Sequence, residues 1–209
     1  MIPTSLLLAI GLVGSLVMFA GDMLLYFTSG AYDMDGTLGP YARIMRDLPE
    51  GLVRLGGLLG PVAAFLYIFG FAGLPALAAG ELSWLMWAVA ALLSFALICG
   101  GAYHAQYPYL AIAARSEDGS AVERVAGTIM VLQRMATVPM YVAFVLLGVL
   151  IVAGRTVLPP WAVALTPLVT SFLGFAWLHA PQPARCVLFG GWSNLVFTIM
   201  FAALIALAP

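Results

Sequence analysis

The chain has 209 residues, 64% of them hydrophobic and only 17 charged, far from a soluble domain, which is about half apolar and a quarter charged. A net charge of −1 with no basic stripe excludes nucleic acid as a partner. All eight basic residues are arginine, and the absence of lysine excludes Schiff-base chemistry, a retinal linkage included. Because a bilayer span takes about 20 apolar residues, the composition has room for about six. The expected fold is all-α, a polytopic transmembrane helical bundle forming a single domain over 1–209 with no soluble domain.

In chain order, hydropathy places spans at 4–27, 52–74, 82–106, 125–152, 161–179 and 188–208. The first run lacks a basic leader and a small-residue cleavage site, and reads as a retained helix. The connection 28–50 holds Asp33-Met34-Asp35, two acids with the spacing to grip a magnesium diphosphate or simply to be solvated. After it, Leu38, Tyr41, Ile44, Met45 and Leu48 share one helical face, which predicts an amphipathic helix lying on the membrane. Leu74-Pro75 closes span two and Pro108 closes span three, while apolar sequence continuing to Ala114 leaves room for a seventh short helix. Gly154 to Pro160, then Pro181 and Pro183, separate the last three spans.

Arginine distribution sets an orientation. Arg43, Arg46, Arg54, Arg115, Arg124 and Arg185 fall in connections one, three and five, against Arg155 alone on the other side. The positive-inside rule makes those connections cytoplasmic, in the cytoplasmic membrane, with both termini outside. Trp84 and Trp87 then lie at the outer interface.

Counting inward at 1.5 Å per residue, polar and aromatic groups gather in the inner half. Asp22 lies in the last turns of span one. Tyr103, His104 and Tyr107 end span three, and Gln133 and Arg134 lie about 12–14 Å inside span four. Trp177 and His179 end span five, and Trp192 and Asn194 open span six. The outer half is aliphatic. Intramembrane ionisable groups suggest function, and each has a structural alternative: Asp22 paired with Arg134 or Arg54, the histidines at the hydrated interface, Asn194 binding helices together. The glycine pairs 56–57, 100–101 and 190–191 allow close helix approach or make room for a flat substrate.

No metal site is expected. Two cysteines outside any CxxC pair and two histidines are too few for a zinc site. His104, His179 and Asp22 as a two-histidine, one-carboxylate set lack the usual spacing. Bis-histidine haem through His104 and His179 is the one cofactor alternative.

Gly21-Asp22, Ala102-Tyr103-His104, Gly154-Arg155-Thr156 with Pro159 and Trp161-Ala162, Pro167, Gly191 and Asn194-Leu195 resemble the pattern of a family of small bacterial multi-pass proteins without a described function. More loosely, size, span number and inner-side acidic and aromatic residues resemble the membrane-embedded terpene cyclases of fungal meroterpenoid and actinobacterial indole-terpenoid pathways. That similarity implies protonation of an alkene or epoxide by an intramembrane carboxylic acid. Asp22 would be that acid, with His104 a further catalytic candidate and Glu123, at the mouth of span four, in the place of a second acid. Tyr26, Tyr103, Tyr107, Gln133, Arg134, Trp177, Trp192 and Asn194 would then line the site of a lipid-soluble isoprenoid substrate, without a cofactor. Two other classes fit the sequence: a small transporter or lipid-binding protein, and a structural subunit. A blind pocket, a continuous channel and no cavity would tell the three apart. The bilayer and a hydrophobic small molecule are the expected partners, and no protein partner is indicated.

Overall fold

The computed structural model describes residues 2–29, 37–116 and 118–208. The Asp33–Asp35 pair lies outside them. Among them eight α-helices run in order: α1 (Thr4–Tyr26), α2 (Gly39–Asp47), α3 (Glu50–Phe71), α4 (Ser83–His104), α5 (Tyr107–Arg115), α6 (Gly119–Val152), α7 (Pro167–Leu173) and α8 (Trp192–Leu207). Among the described residues the only β-type pairing is a single bridge between Ala78 and Thr156.

Among the described residues four stretches are long and apolar enough to cross a membrane: Thr4–Tyr26, Glu50–Leu77, Ser83–Arg115 and Gly119–Val152. Their outward faces are what lipid requires and water would not tolerate. On α3, Leu55, Leu58, Val62, Phe65 and Phe69 recur every three or four residues and are all exposed.

The expected fifth and sixth spans are built differently. Segment 160–179 is not one helix: a tight turn of helix over Pro160–Leu165 precedes α7, and another over Gly174–His179 follows it. Pro160 and Pro167 each stand in the first turn of their pieces, where a missing N–H costs nothing, and Pro167 therefore restarts the helix. The last helix, α8, has 16 residues, about 24 Å at 1.5 Å each. It is preceded by a widened turn over Cys186–Gly190. Helix length alone thus supports four crossings, and six rests on how these two segments are counted.

The α1–α3 pair is the closest in the bundle. A side chain at Gly11 would put its Cβ 2.8 Å from Gly70 Cα, and one at Gly21 would put it 3.1 Å from the Gly56 carbonyl. Small residues let the backbones touch, as in membrane helix pairs generally. At the end away from Asp22, Leu8, Phe71, Leu74, Leu77, Met86 and Leu150 fill the core. There, Gly154 (φ +65°) stops α6, and Ala79 and Val157 donate N–H bonds to the Arg155 and Leu77 carbonyls. The two loops at that end are thereby stitched together.

At the opposite end, α2 is the helix that the apolar spacing of 38–48 predicts. Its apolar face is covered by the bundle, with Leu38, Ala42 and Met45 buried among Tyr26, Tyr107 and Leu110. The predicted seventh helix is α5, and its last residue clamps α2. Arg115 donates from Nη2 to the Met45 and Leu48 carbonyls (3.2 and 2.6 Å) and from Nε to that of Arg46 (3.0 Å). A cation bound to carbonyls at a helix C-terminus satisfies otherwise orphan acceptors. Arg115→Ala is expected to speed amide exchange over 39–48 by about fivefold or more, equivalent to about 1 kcal/mol. Exchange mass spectrometry on the detergent-solubilised protein would measure it.

Finally, α6 begins six residues before the predicted start of span four. Asp118 explains this: its carboxylate accepts from Ser120 N–H (2.9 Å) as an N-cap. The Ser120 hydroxyl and the Arg124 guanidinium hold that carboxyl below the usual carboxylate range.

Candidate functional site

The two core clusters meet at a cavity of about 210 Å³. Its walls come from α1 (Met18, Asp22, Tyr26), α2 (Tyr41), α4 (Ala96, Leu97, Gly100, Tyr103, His104), α5 (Tyr107), α6 (Gln133, Ala136, Thr137, Met140), the turn before α8 (Gly190) and the start of α8 (Ser193, Asn194, Phe197). Gly100, whose Cβ would meet nothing closer than 3.8 Å, widens it.

One wall is a buried polar relay. The Tyr67 hydroxyl donates to Asn194 Oδ1 (3.1 Å), Asn194 Nδ2 donates to Asp22 Oδ2 (2.6 Å), and His104 Nε2 meets Asp22 Oδ1 at 3.1 Å. All four residues are buried. Tyr67 belongs to α3, and side chains on a helix lean toward its N-terminus. That lean carries its ring toward the end of the bundle where Asn194 lies. The relay has a direction, because a phenol donating to Oδ1 turns the Asn194 amide so that its NH2 faces Asp22.

The other histidine nitrogen is sealed. Nδ1 has no hydrogen-bond partner, and a Cβ at Gly60 would fall 2.9 Å from it. With no acceptor near Nδ1, the neutral ring places its proton on Nε2, toward Asp22. His104 therefore has one working nitrogen, and the carboxyl group takes it.

Beside the relay stands a run of tyrosines. Tyr26 meets Tyr41 edge-on at 5.2 Å between centroids, Tyr41 lies 6.4 Å from Tyr107, and Tyr107 meets Tyr103 and His104 at 6.1 and 5.6 Å. Tyr26 also donates to the Gly190 carbonyl (3.0 Å), tying α1 to the turn before α8.

The fate of the sequence-predicted residues divides cleanly. Asp22, His104, Asn194, Tyr26, Tyr103, Tyr107 and Gln133 line this one cavity. Trp192 does not. It donates from its indole N–H to the Thr170 carbonyl (3.0 Å) and lines an adjoining pocket, with Trp177 packed on it edge-on at 5.8 Å. Arg134 is exposed on α6 and not a wall of the cavity, because the helical turn that aims Gln133 and Thr137 inward aims Arg134 out. Glu123 is exposed near the start of α6, outside the cavity. The expected ion pairs of Asp22 with Arg134 or Arg54 are not formed: Arg54 pairs with Glu50, one turn away on its own helix, and Asp22 takes His104 and Asn194.

Nor do the histidines converge. His104 is buried on Asp22, while His179 is exposed at the end of segment 160–179 and away from the cavity. The bis-histidine arrangement and the two-histidine, one-carboxylate set both lose their geometry. Among the described residues no three His, Cys, Asp or Glu side chains gather to hold a metal ion.

Tyr67, Tyr41 and Gly60 escape a reading of the sequence. A lone tyrosine in the middle of span two was the available signal for Tyr67, since a buried phenol needs a partner. For Gly60 the signal was absent, because nothing in the sequence pairs it with His104.

Fold and site define a helical protein with several membrane-length apolar helices and a carboxyl–imidazole pair buried beside an aromatic chamber. The model of DUF6796, described as a family of unknown function, matches residues 1–208, and the chain belongs to that family. No curated protein and no solved structure matches it. The similarity to membrane-embedded terpene cyclases gains no support from these comparisons.

Proposed function

We propose that this protein is a membrane-embedded enzyme that protonates a lipid-soluble isoprenoid substrate, starting its cyclisation or isomerisation, with Asp22 as the proton donor. One observation carries the reading: the buried acid on the chamber wall is held on both oxygens, by Asn194 and His104, beside a run of tyrosine rings. Each oxygen keeps a second lone pair, so a carboxyl proton can sit toward the chamber. Transfer of that proton to an alkene carbon, or to an epoxide oxygen, leaves a carboxylate on Asp22 and a carbocation on the substrate. Asn194 and His104 then donate to the carboxylate, which is where preorganised donors act most strongly. The tyrosine faces attract the cation. Loss of a proton from a neighbouring carbon to Asp22 forms the product alkene and restores the acid.

The filled core at the far end favours this over transport, since a blind chamber suits catalysis and a channel does not. The experiment is incubation of the solubilised protein with linear prenyl alkenes and epoxides in D2O. A product carrying one solvent deuterium at the protonated carbon, or a ring-opened alcohol from the epoxide, is expected. Absence of conversion across the panel, or conversion independent of Asp22, would reject the proposal.

We place the chain in the cytoplasmic membrane with six crossings, counting segment 160–179 and α8, both termini outside, and the chamber toward the cytoplasm. Arg46 and Arg115 meeting at the chamber end supports that orientation through the positive-inside rule. A cysteine at exposed Glu81 is expected to react with an impermeant maleimide in intact cells. One at exposed Gly119 is expected to react only after permeabilisation. The reverse pattern would invert the topology.

A further inference from the structure

A second pocket, of about 260 Å³, lies between α6, α7 and α8 and shares Met140, Ser193 and Phe197 with the Asp22 chamber. Its character is different. Apart from two serines it is lined by apolar and aromatic groups, among them Phe144, Phe175, Phe189, Trp192 and Val196. Its rim carries Tyr141 and Phe175, exposed on the outer flank of the bundle. In a membrane, that flank faces hydrocarbon.

From this geometry we infer that the flank pocket holds the hydrocarbon chain of the same lipid whose reacting end occupies the Asp22 chamber. The chain enters sideways from the bilayer between α6 and α8. This rests on the enzymatic reading above and adds the substrate's form and route. Three observations support it. Ligand sites run to about 300–1,000 Å³, so the polar chamber alone is small, whereas the two compartments together fall in that range. Polarity is divided to match an amphipathic molecule, with the carboxyl, imidazole and amide on one side and the rings on the other. The shared wall is made of Ser193, Met140 and Phe197. Ser193 is small, and Met140 is an unbranched side chain that readily changes rotamer, so rotation of Met140 beside Ser193 would open the way for a single chain.

The commitment is to a single-chain lipid of prenyl type, longer than the Asp22 chamber can hold alone. A two-chain phospholipid is too bulky for a junction bounded by Ser193, Met140 and Phe197.

Photolabelling tests it on the full-length protein in detergent micelles. The probe is a prenyl alcohol of four isoprene units with a diazirine at the chain end away from the hydroxyl. The expected result is label on Phe189 or Trp192, competed by the unlabelled alcohol. Ser193→Phe, which plugs the junction, is expected to cut that label by about tenfold or more, while a one-unit prenyl alcohol with the same photoreactive group still labels the chamber residues. Ser171→Phe fills the flank pocket from α7 and should remove the long-probe label without touching α8. Label confined to lipid-facing residues such as Phe65 or Val138, or long-probe label undiminished in both folded variants, would overturn the inference. Asp22→Asn should retain the flank label. Failure of the acid chemistry and failure of the chain site are therefore read separately, the first by turnover and the second by labelling.

Discussion

Asp22→Asn is expected to abolish turnover, by about a hundredfold or more, the usual scale for losing a general acid, while the protein still folds and binds its ligand. Size and shape are retained, and the new carboxamide oxygen can still accept from Asn194 Nδ2, which now lies 2.6 Å from Asp22 Oδ2. The other side is where the change bites. In place of Oδ1 an NH2 would face His104 Nε2, which then has to accept, and the ring proton has to move to Nδ1. That nitrogen is sealed against Gly60 without an acceptor, so the variant loses both the transferable proton and the preferred tautomer. A similar substitution in a serine protease triad disables catalysis through the tautomer while preserving geometry. Asp22→Leu provides the contrast. It leaves His104 Nε2 and Asn194 Nδ2 buried without partners and should lower stability by about 1–3 kcal/mol for each unsatisfied group. Turnover per folded protein and thermal unfolding in detergent, measured on both variants, separate chemistry from folding. A stable Asp22→Asn variant with full turnover would end the acid reading.

The rival role for Asp22 was a salt bridge to an arginine, and the geometry changes what that rivalry means. Asp22 pairs with an imidazole that has a single available nitrogen, and not with a guanidinium. Arginine in its place would bring five fixed donors and a permanent charge.

Much of this was legible from residue spacing. Depth counting at a fixed rise per residue brought Asp22, His104 and Asn194 to one level from three helices far apart in sequence. The helix over 38–48 was legible because five apolar residues shared a face. Arg134 and Trp192 were misplaced for a common reason: depth along a helix says nothing of rotation about it, and a residue next to a cavity-facing one points about 100° away. The fifth and sixth spans were drawn from hydropathy averages, which do not register that Pro160, Pro167 and Gly174 break one apolar run into three short pieces. Tyr67 escaped because its ring reaches along the bundle axis to a residue at another depth.

The close approach at Gly60 makes the strongest claim on a position that carries no chemistry of its own. Gly60→Ala is expected to lower stability by about 1–3 kcal/mol, the ordinary cost of overpacking a well-packed interior, and to lower turnover disproportionately. The added methyl would fall 2.8 Å from His104 Cγ and 2.9 Å from Nδ1. It meets a ring that is itself fixed on Asp22 and flanked by Tyr107 at 5.6 Å. The ring has to tilt or α4 has to retreat from α3, and both lengthen the 3.1 Å contact with Asp22 Oδ1. Two other glycines calibrate the result. A methyl at Gly127 of α6 meets nothing within 4 Å, so Gly127→Ala should be neutral, or stabilising by up to about 1 kcal/mol from helix propensity. A methyl at Gly57 strikes the Pro108 ring at 2.6 Å, so Gly57→Ala should lower stability while leaving the Asp22–His104 contact in place. If Gly60→Ala lost no more turnover per folded protein than Gly57→Ala, the hydrogen bond from His104 to Asp22 would carry no part of the chemistry. Asp22 would then act with Asn194 alone.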